Sequence, residues 1–176
     1  MPLPPDVVIR DARPEELDAV ADVIAQAYAE YGPAEGSSAE TAEAFRGYRK
    51  DIIDVRGRAE HGAVAIVAEH GTRVIGTVTY YPPGVDKSAS GWPDEIGAIR
   101  LLGVLPSERG NAIGRALTEE SIRRTREAGA PAMGLHTTSL MARARDMYER
   151  MGFHRTPDND FRESPELLIT AYRLEL

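Results

Sequence analysis

The chain has 176 residues, enough for one well-filled core and few for two. Hydrophobic residues make up 42% and charged residues 28%, and the formal net charge is -7, a balance that argues against a nucleic-acid partner, whose phosphates need a basic stripe. Cysteine is absent, which excludes disulfides, a cysteine nucleophile and thiolate metal sites. The acidic surface also suits a cationic substrate, although solubility alone accounts for it. The amino-terminal MPLPPDVVIRD lacks a basic region followed by a long apolar run, and no window approaches a membrane span. The expectation is a soluble, cytoplasmic protein with neither a nucleic-acid nor a membrane partner.

Val7 to Ile9 reads as a short strand. Pro14, Glu15 and Glu16 suit a first helical turn, and Leu17, Val20, Ala21, Ile24 and Tyr28 recur at helical spacing until Gly32 and Pro33. A second amphipathic helix is expected from about Ala39 to Arg56, with Phe45, Tyr48, Ile52 and Val55 on one side. The period then changes. Ala63–Glu69 and Arg73–Tyr81 are strands joined by His70-Gly71-Thr72, a hairpin-type turn. The polar loop PPGVDKSASGWPD leads to a third strand, Glu95 to Leu105. Ile113, Ala116, Leu117, Ile122 and Ala128 mark a helix that stops at Gly129. PAMGLHT is a strand, SLMARARDMYERMGF a helix stopped by Gly152, and ELLITAYRLEL a final strand. The order is β-α-α-β-β-β-α-β-α-β, expected to form a single α/β domain over residues 1–176 with a mixed central sheet flanked by helices.

The junction VLPSERGNAIGRAL carries the first chemical signal. A strand feeding a helix through RGNAIG leaves backbone N–H groups free at the helix start, where the dipole favours an anion. Small residues at Gly110, Ala112 and Gly114 let a phosphate approach the backbone, and Arg109 or Arg115 can add a charge-assisted hydrogen bond. It is neither a P-loop nor the dinucleotide fingerprint.

RGNAIGRAL after LLGVLPSE resembles the acyl-CoA-binding motif of the GNAT N-acetyltransferases, Arg/Gln-x-x-Gly-x-Gly/Ala, with Arg109 first, Gly114 last and Ala112 in place of the middle glycine. MARARDMYERMGF resembles the later family motif Asn-x-x-Ala-x-x-Leu-Tyr-x-x-x-Gly-Phe. Ala144, Tyr148, Gly152 and Phe153 fall in register; Met141 replaces the asparagine and Met147 the leucine. The resemblance covers nearly the whole chain. It implies acetyl-CoA as co-substrate, with Leu102, Gly103 and Val104 pairing with the pantetheine arm. The N–H groups of Arg109, Gly110, Asn111, Ala112, Ile113, Gly114 and Arg115 would hold the pyrophosphate, and the thioester would lie near Leu135 to Thr137. A small-molecule or peptide amine would attack directly. Tyr148 resembles the tyrosine that protonates or hydrogen-bonds the departing thiolate, a role that suits a phenol with a pKa of about 10. A homodimer through the late strands is compatible with the same resemblance.

The general base is less defined. Many relatives carry a glutamate on the strand where this chain has Ala98; strand alternation puts Ala98, Arg100, Leu102 and Val104 on one face. Glu95 would face the other way unless a bulge intervenes; it is either a base acting through water or a solvated strand-end charge. An amine already neutral near pH 7 needs no strong base. His61, His70 and His154 read as surface groups, whereas His136 ends the strand beside the expected thioester and either acts on the substrate, by shuttling protons or binding it, or is a hydrogen-bonded structural residue. Tyr28, Tyr31, Phe45 and Trp92 either line an acceptor pocket or pack in the core. No spacing resembles a metal site. Two other readings stand beside the enzyme: a non-catalytic acyl-CoA-binding module, and an acyltransferase using a longer acyl-CoA or another nucleophile.

Overall fold

The computed structural model describes residues 2–87 and 90–176. Ser88 and Ala89, part of the polar loop before the third strand, lie outside the described residues. The elements in chain order are β1 (Val7–Asp11), α1 (Leu17–Tyr28), α2 (Ala39–Ile52), α3 (Val55–Glu60), β2 (Val64–His70), β3 (Arg73–Tyr81), β4 (Gly97–Val104), α4 (Ile113–Glu127), β5 (Ala132–Thr138), α5 (Ala142–Arg150), β6 (His154–Arg155), β7 (Phe161–Ser164) and β8 (Leu167–Glu175). The sheet runs β1-β2-β3-β4-β5-β8-β6, with β7 also paired to β8. Every pairing is antiparallel except β4 with β5.

The expected order holds, with three differences. The second helix breaks after Ile52 because Asp54 starts a new one: its side chain accepts from the Gly57 N–H at 3.0 Å. Arg58 closes the corner by donating to the Asp51 and Ile52 carbonyls at 2.6 and 2.5 Å. The third strand begins at Gly97, so Glu95 stands in the preceding turn. Two short strands, β6 and β7, pair with β8; their charged sequences, HR and FRES, carry no apolar alternation to betray them.

Helices α1 and α4 cover opposite faces of the sheet, and missing side chains set how closely. A Cβ on Gly103 would lie 3.1 Å from Ala27 of α1. One on Gly76 would lie 2.8 Å from Ile113 of α4, and one on Gly97 2.3 Å from Thr125 of the same helix. Val20, Ile24, Ile66, Ile75, Val78, Leu117, Met133 and Leu135 fill the two layers.

The expected alternation along β4 fails at one point. Thr77 pairs with Gly103 but Thr79 pairs with Arg100, so Leu101 and Leu102 together oppose Val78. Leu101 adopts φ +56°, a left-handed conformation rare for a branched, buried side chain. This bulge inverts the pleat. Gly97 faces α4 whereas Gly103, six residues on and expected on the same face, faces α1. Arg100 and Leu102 consequently leave the strand on opposite sides.

Candidate active site

β4 and β5 pair at Gly97–Met133, Ala98–Gly134 and Ile99–Leu135, and there the pairing ends. Two cavities adjoin the parting strands. Leu102, Gly103 and Val104 line the first, of about 610 Å³; Arg100 and Leu101 line the second, of about 350 Å³. Tyr28 lines both, and its hydroxyl donates to the Leu102 carbonyl at 3.3 Å. Burial raises the Tyr28 pKa well above the ordinary phenol value, so it stands as a neutral donor between the cavities.

The first cavity gathers most of the residues expected to bind the donor. Arg109, Gly110, Ala112, Ile113, Gly114 and Arg115 line it; Asn111 does not. Ala112 is the N-cap of α4 at φ +58° and offers no side-chain cap. The first helical bond runs from the Ala116 N–H to the Ala112 carbonyl at 3.0 Å, so the N–H groups of Ile113, Gly114 and Arg115 have no helical acceptor. A Cβ on Gly114 would sit 3.7 Å from Leu102 and Val104 and 4.0 Å from the Met147 sulfur, filling the groove between β4 and α5. The place of the motif's middle glycine is thus held by an alanine in a left-handed turn at a cost of about 1 kcal/mol.

The arginines are divided. Arg109 is committed to structure: Nη2 donates to the Ala27 carbonyl at 3.0 Å and Nη1 pairs with Glu30 at 2.5 Å, tying the loop to α1. Arg115 pairs with Glu119 one turn on, at 2.7 Å. Arg143 and Arg150 also line the cavity, and among the described residues their side chains make neither hydrogen bond nor ion pair. Sequence reasoning passed over these two. Their spacing of seven on one helix placed them on a common face with Met147 and Met151, and that was the available signal. Four guanidinium groups against Glu108 alone make the cavity strongly basic in a chain of net charge -7.

Tyr148 is 5% exposed and lines neither cavity. Its neighbours on α5, Ala144, Met147 and Met151, line the first. Its ring meets Phe153 edge-on at 5.7 Å, and among the described residues its hydroxyl has no hydrogen-bond partner. Burial raises its pKa above the ordinary phenol value, and its charged form would act on Tyr28, which places the two phenols close together.

The second cavity is lined by Tyr28, Tyr31, Phe45, Tyr48, Phe161 and Leu140 with the charged Asp51, Arg100 and Glu163. Trp92 is instead a core residue that packs over Gly134, where a Cβ would lie 2.5 Å from its ring. Glu95 is exposed and lines neither cavity. His136 borders the second cavity with both ring nitrogens engaged: the Trp92 N–H donates to Nδ1 at 3.2 Å, which leaves Nε2 to donate to the Asn159 carbonyl at 3.0 Å. Of its two expected roles, that geometry is the structural one. Among the described residues no group of three or more His, Asp or Glu is arranged to hold a metal ion. No described helix is long and apolar enough to cross a membrane.

The sequence profile of the Acetyltransferase (GNAT) family matches residues 22–153. The chain belongs to this family. Solved GNAT structures share the fold. A GNAT-family acetyltransferase from Staphylococcus aureus superposes with a TM-score of 0.69 at 15% identity, covering 97% of this chain and 99% of that one. A candidate acetyltransferase from Salmonella typhimurium, solved with its cofactor acetyl-CoA, gives 0.63 at 18% identity over 97% and 94% of the two chains. Among curated relatives, a mycothiol acetyltransferase from Cellulomonas flavigena is 31% identical over 160 residues, 88% of this chain and 42% of its own. Another from Acidothermus cellulolyticus is 33% identical over 86% of this chain and 46% of its own. This chain therefore spans less than half the length of those two relatives.

The His136 environment gives the GNAT domain a pH signature. Burial is the main cause that lowers its pKa below the ordinary 6.5, so the unfolded chain takes up a proton first as pH falls. The stability it contributes is complete above about pH 6.5 and declines as the pH drops from there towards the folded value. Urea unfolding at pH 7.5 and 5.0 is expected to show a larger loss for the wild type than for His136→Gln. Equal losses contradict the assignment.

Proposed function

We propose that this GNAT chain is an acetyl-CoA-dependent N-acetyltransferase that passes the acetyl group directly to a primary amine held in the second cavity. The observation that carries this reading is the start of α4: three N–H groups without helical acceptors, facing a cavity that four arginines make basic. That combination suits the pyrophosphate of CoA. Arg143 and Arg150, without partners among the described residues, supply further charge to its phosphates. The β4 edge beyond Ile99 has lost its β5 partner, so its backbone groups are available to the amides of a pantetheine arm in the manner of an added strand. The arm then leads to the point where the strands part, next to Tyr28 and both cavities.

Acetyl-CoA supplies an activated acetyl thioester. The amine nitrogen forms a bond to the carbonyl carbon, the carbon–sulfur bond breaks, and the sulfur leaves with the electron pair. Tyr148 is assigned a hydrogen bond to this thiolate, which takes its proton from water: burial keeps the phenol protonated as a donor, and among the described residues its hydroxyl has no other partner. No step is assigned to Glu95, which is exposed in the turn before β4. The ammonium proton passes through water to Asp51 or Glu163, the carboxylates of the acceptor cavity. The curated relatives named for mycothiol acetylation support an acetyl acceptor of modest size, which a cavity of about 350 Å³ accommodates.

Gly114→Glu sets a side chain and a negative charge in the cradle. Calorimetry is expected to show acetyl-CoA affinity reduced at least about 100-fold with the fold intact by circular dichroism; wild-type affinity rejects the cradle. Tyr148→Phe is expected to lower kcat by about 100-fold and change acetyl-CoA affinity less than about twofold. Undiminished kcat removes Tyr148 from the reaction.

A further inference from the structure

We infer that the acceptor amine carries a carboxylate, as amino acids do, and that Arg100 binds this group. The inference rests on the acetyltransferase reading and narrows its acceptor. Four observations support it. First, Arg100 is the residue immediately after the last β4–β5 pair, Ile99–Leu135, so its side chain leaves the strand where the acetyl group is to be received. Second, the bulge at Leu101 turns Arg100 and Leu101 into the second cavity while Leu102 serves the first. A regular strand would have kept Leu102 on the same side as Arg100.

Third, the guanidinium is undersupplied with partners. Nη2 donates to Asp51 Oδ2 at 3.2 Å, and Asp51 is itself about half exposed and shared with Arg58 at 3.7 Å. The Tyr81 hydroxyl lies nearby. A guanidinium offers five N–H donors in a planar fork, and those left over match the two oxygens of a carboxylate. Fourth, the same cavity includes Thr137, 3% exposed, whose Oγ1 is buried without a hydrogen-bond partner among the described residues. A buried hydroxyl in that state has a hydrogen bond to give to a water or to a polar group of a ligand.

The remaining lining fits the rest of such a molecule. Glu163 offers a negative charge to the ammonium form, and Phe45, Tyr48, Leu140 and Phe161 offer an apolar wall to a side chain. An apolar amino acid thus finds a charge of the right sign for each of its two charged groups and hydrocarbon for its side chain. An amine without a carboxylate leaves Arg100 desolvated by the ligand and unanswered.

The test compares L-leucine with L-leucinamide, which differ in the carboxylate, as acceptors of the intact protein with acetyl-CoA. Transfer is followed by thiol release, and binding of each to the CoA-saturated protein by calorimetry. Leucine is expected to exceed leucinamide at least tenfold in kcat/KM or in affinity. Arg100→Met is expected to abolish that preference while leaving acetyl-CoA affinity unchanged, and Arg100→Lys, which keeps the charge and loses the fork, to restore part of it. Equal or better use of leucinamide, failure of leucine to bind, or a preference that survives in Arg100→Met overturns the inference, with the acetyltransferase reading intact provided acetyl-CoA still binds. Absence of acetyl-CoA binding by the wild type overturns both.

Discussion

Leu101 occupies a left-handed conformation in the middle of a buried strand, at a cost of about 1–3 kcal/mol that its surroundings must offset. The buried side chain and the pairing of β4 with β3 on both sides of the bulge hold it there. The extra residue alters two things at once. It inverts the pleat, so residues before and after it face different helices. It also adds local twist where β4 must separate from β5, and pairing stops two residues earlier, at Ile99. A regular strand would continue the ladder and close the gap between the cavities. The donor face, Leu102 to Val104, and the acceptor face, Arg100 and Leu101, are adjacent in sequence because of this one conformation.

Electrostatics then distinguishes the two sides. The chain is acidic overall, yet the cavity under the start of α4 is lined by four arginines and one glutamate. The helix start adds N–H groups that no described residue satisfies, an arrangement suited to an anion. The second cavity is nearly balanced, with Arg100 against Asp51 and Glu163, and is walled by aromatic rings. Tyr28 stands between them, and desolvation keeps its hydroxyl neutral. On the proposed reading, one side takes phosphates and the other a small molecule of mixed charge.

Much of this was legible in the sequence. RGNAIG placed the helix start correctly because small residues and a missing cap leave a local record, and MARARDMYERMGF placed α5 with its glycine stop. The strand order followed from changes in hydrophobic period. The bulge was hidden because Leu101-Leu102 reads as ordinary strand; no glycine or asparagine marks the left-handed residue. That loss carried through to Leu102 and Val104, expected on one face with Ala98 and Arg100. Arg109 looked like a phosphate ligand, but its partners Ala27 and Glu30 come from a helix distant in the chain, which local pattern cannot reveal. The reverse holds for Arg143 and Arg150: a free guanidinium is recognised by the absence of partners, and absence has no sequence signature. Glu95 stands outside β4, which begins two residues later than expected.

The account turns on the claim that the bulged strand and the uncapped helix start together hold one CoA molecule. Amide chemical shifts of isotopically labelled protein, followed by NMR during titration with acetyl-CoA, test it at the groups concerned. The account predicts that the largest changes fall on the N–H signals of Ile113, Gly114 and Arg115 and on those of Leu102 to Val104, with Gly97 to Ile99, already paired to β5, changing least. Saturable binding that leaves the α4 start and the β4 edge unmoved, with its changes elsewhere, would contradict it.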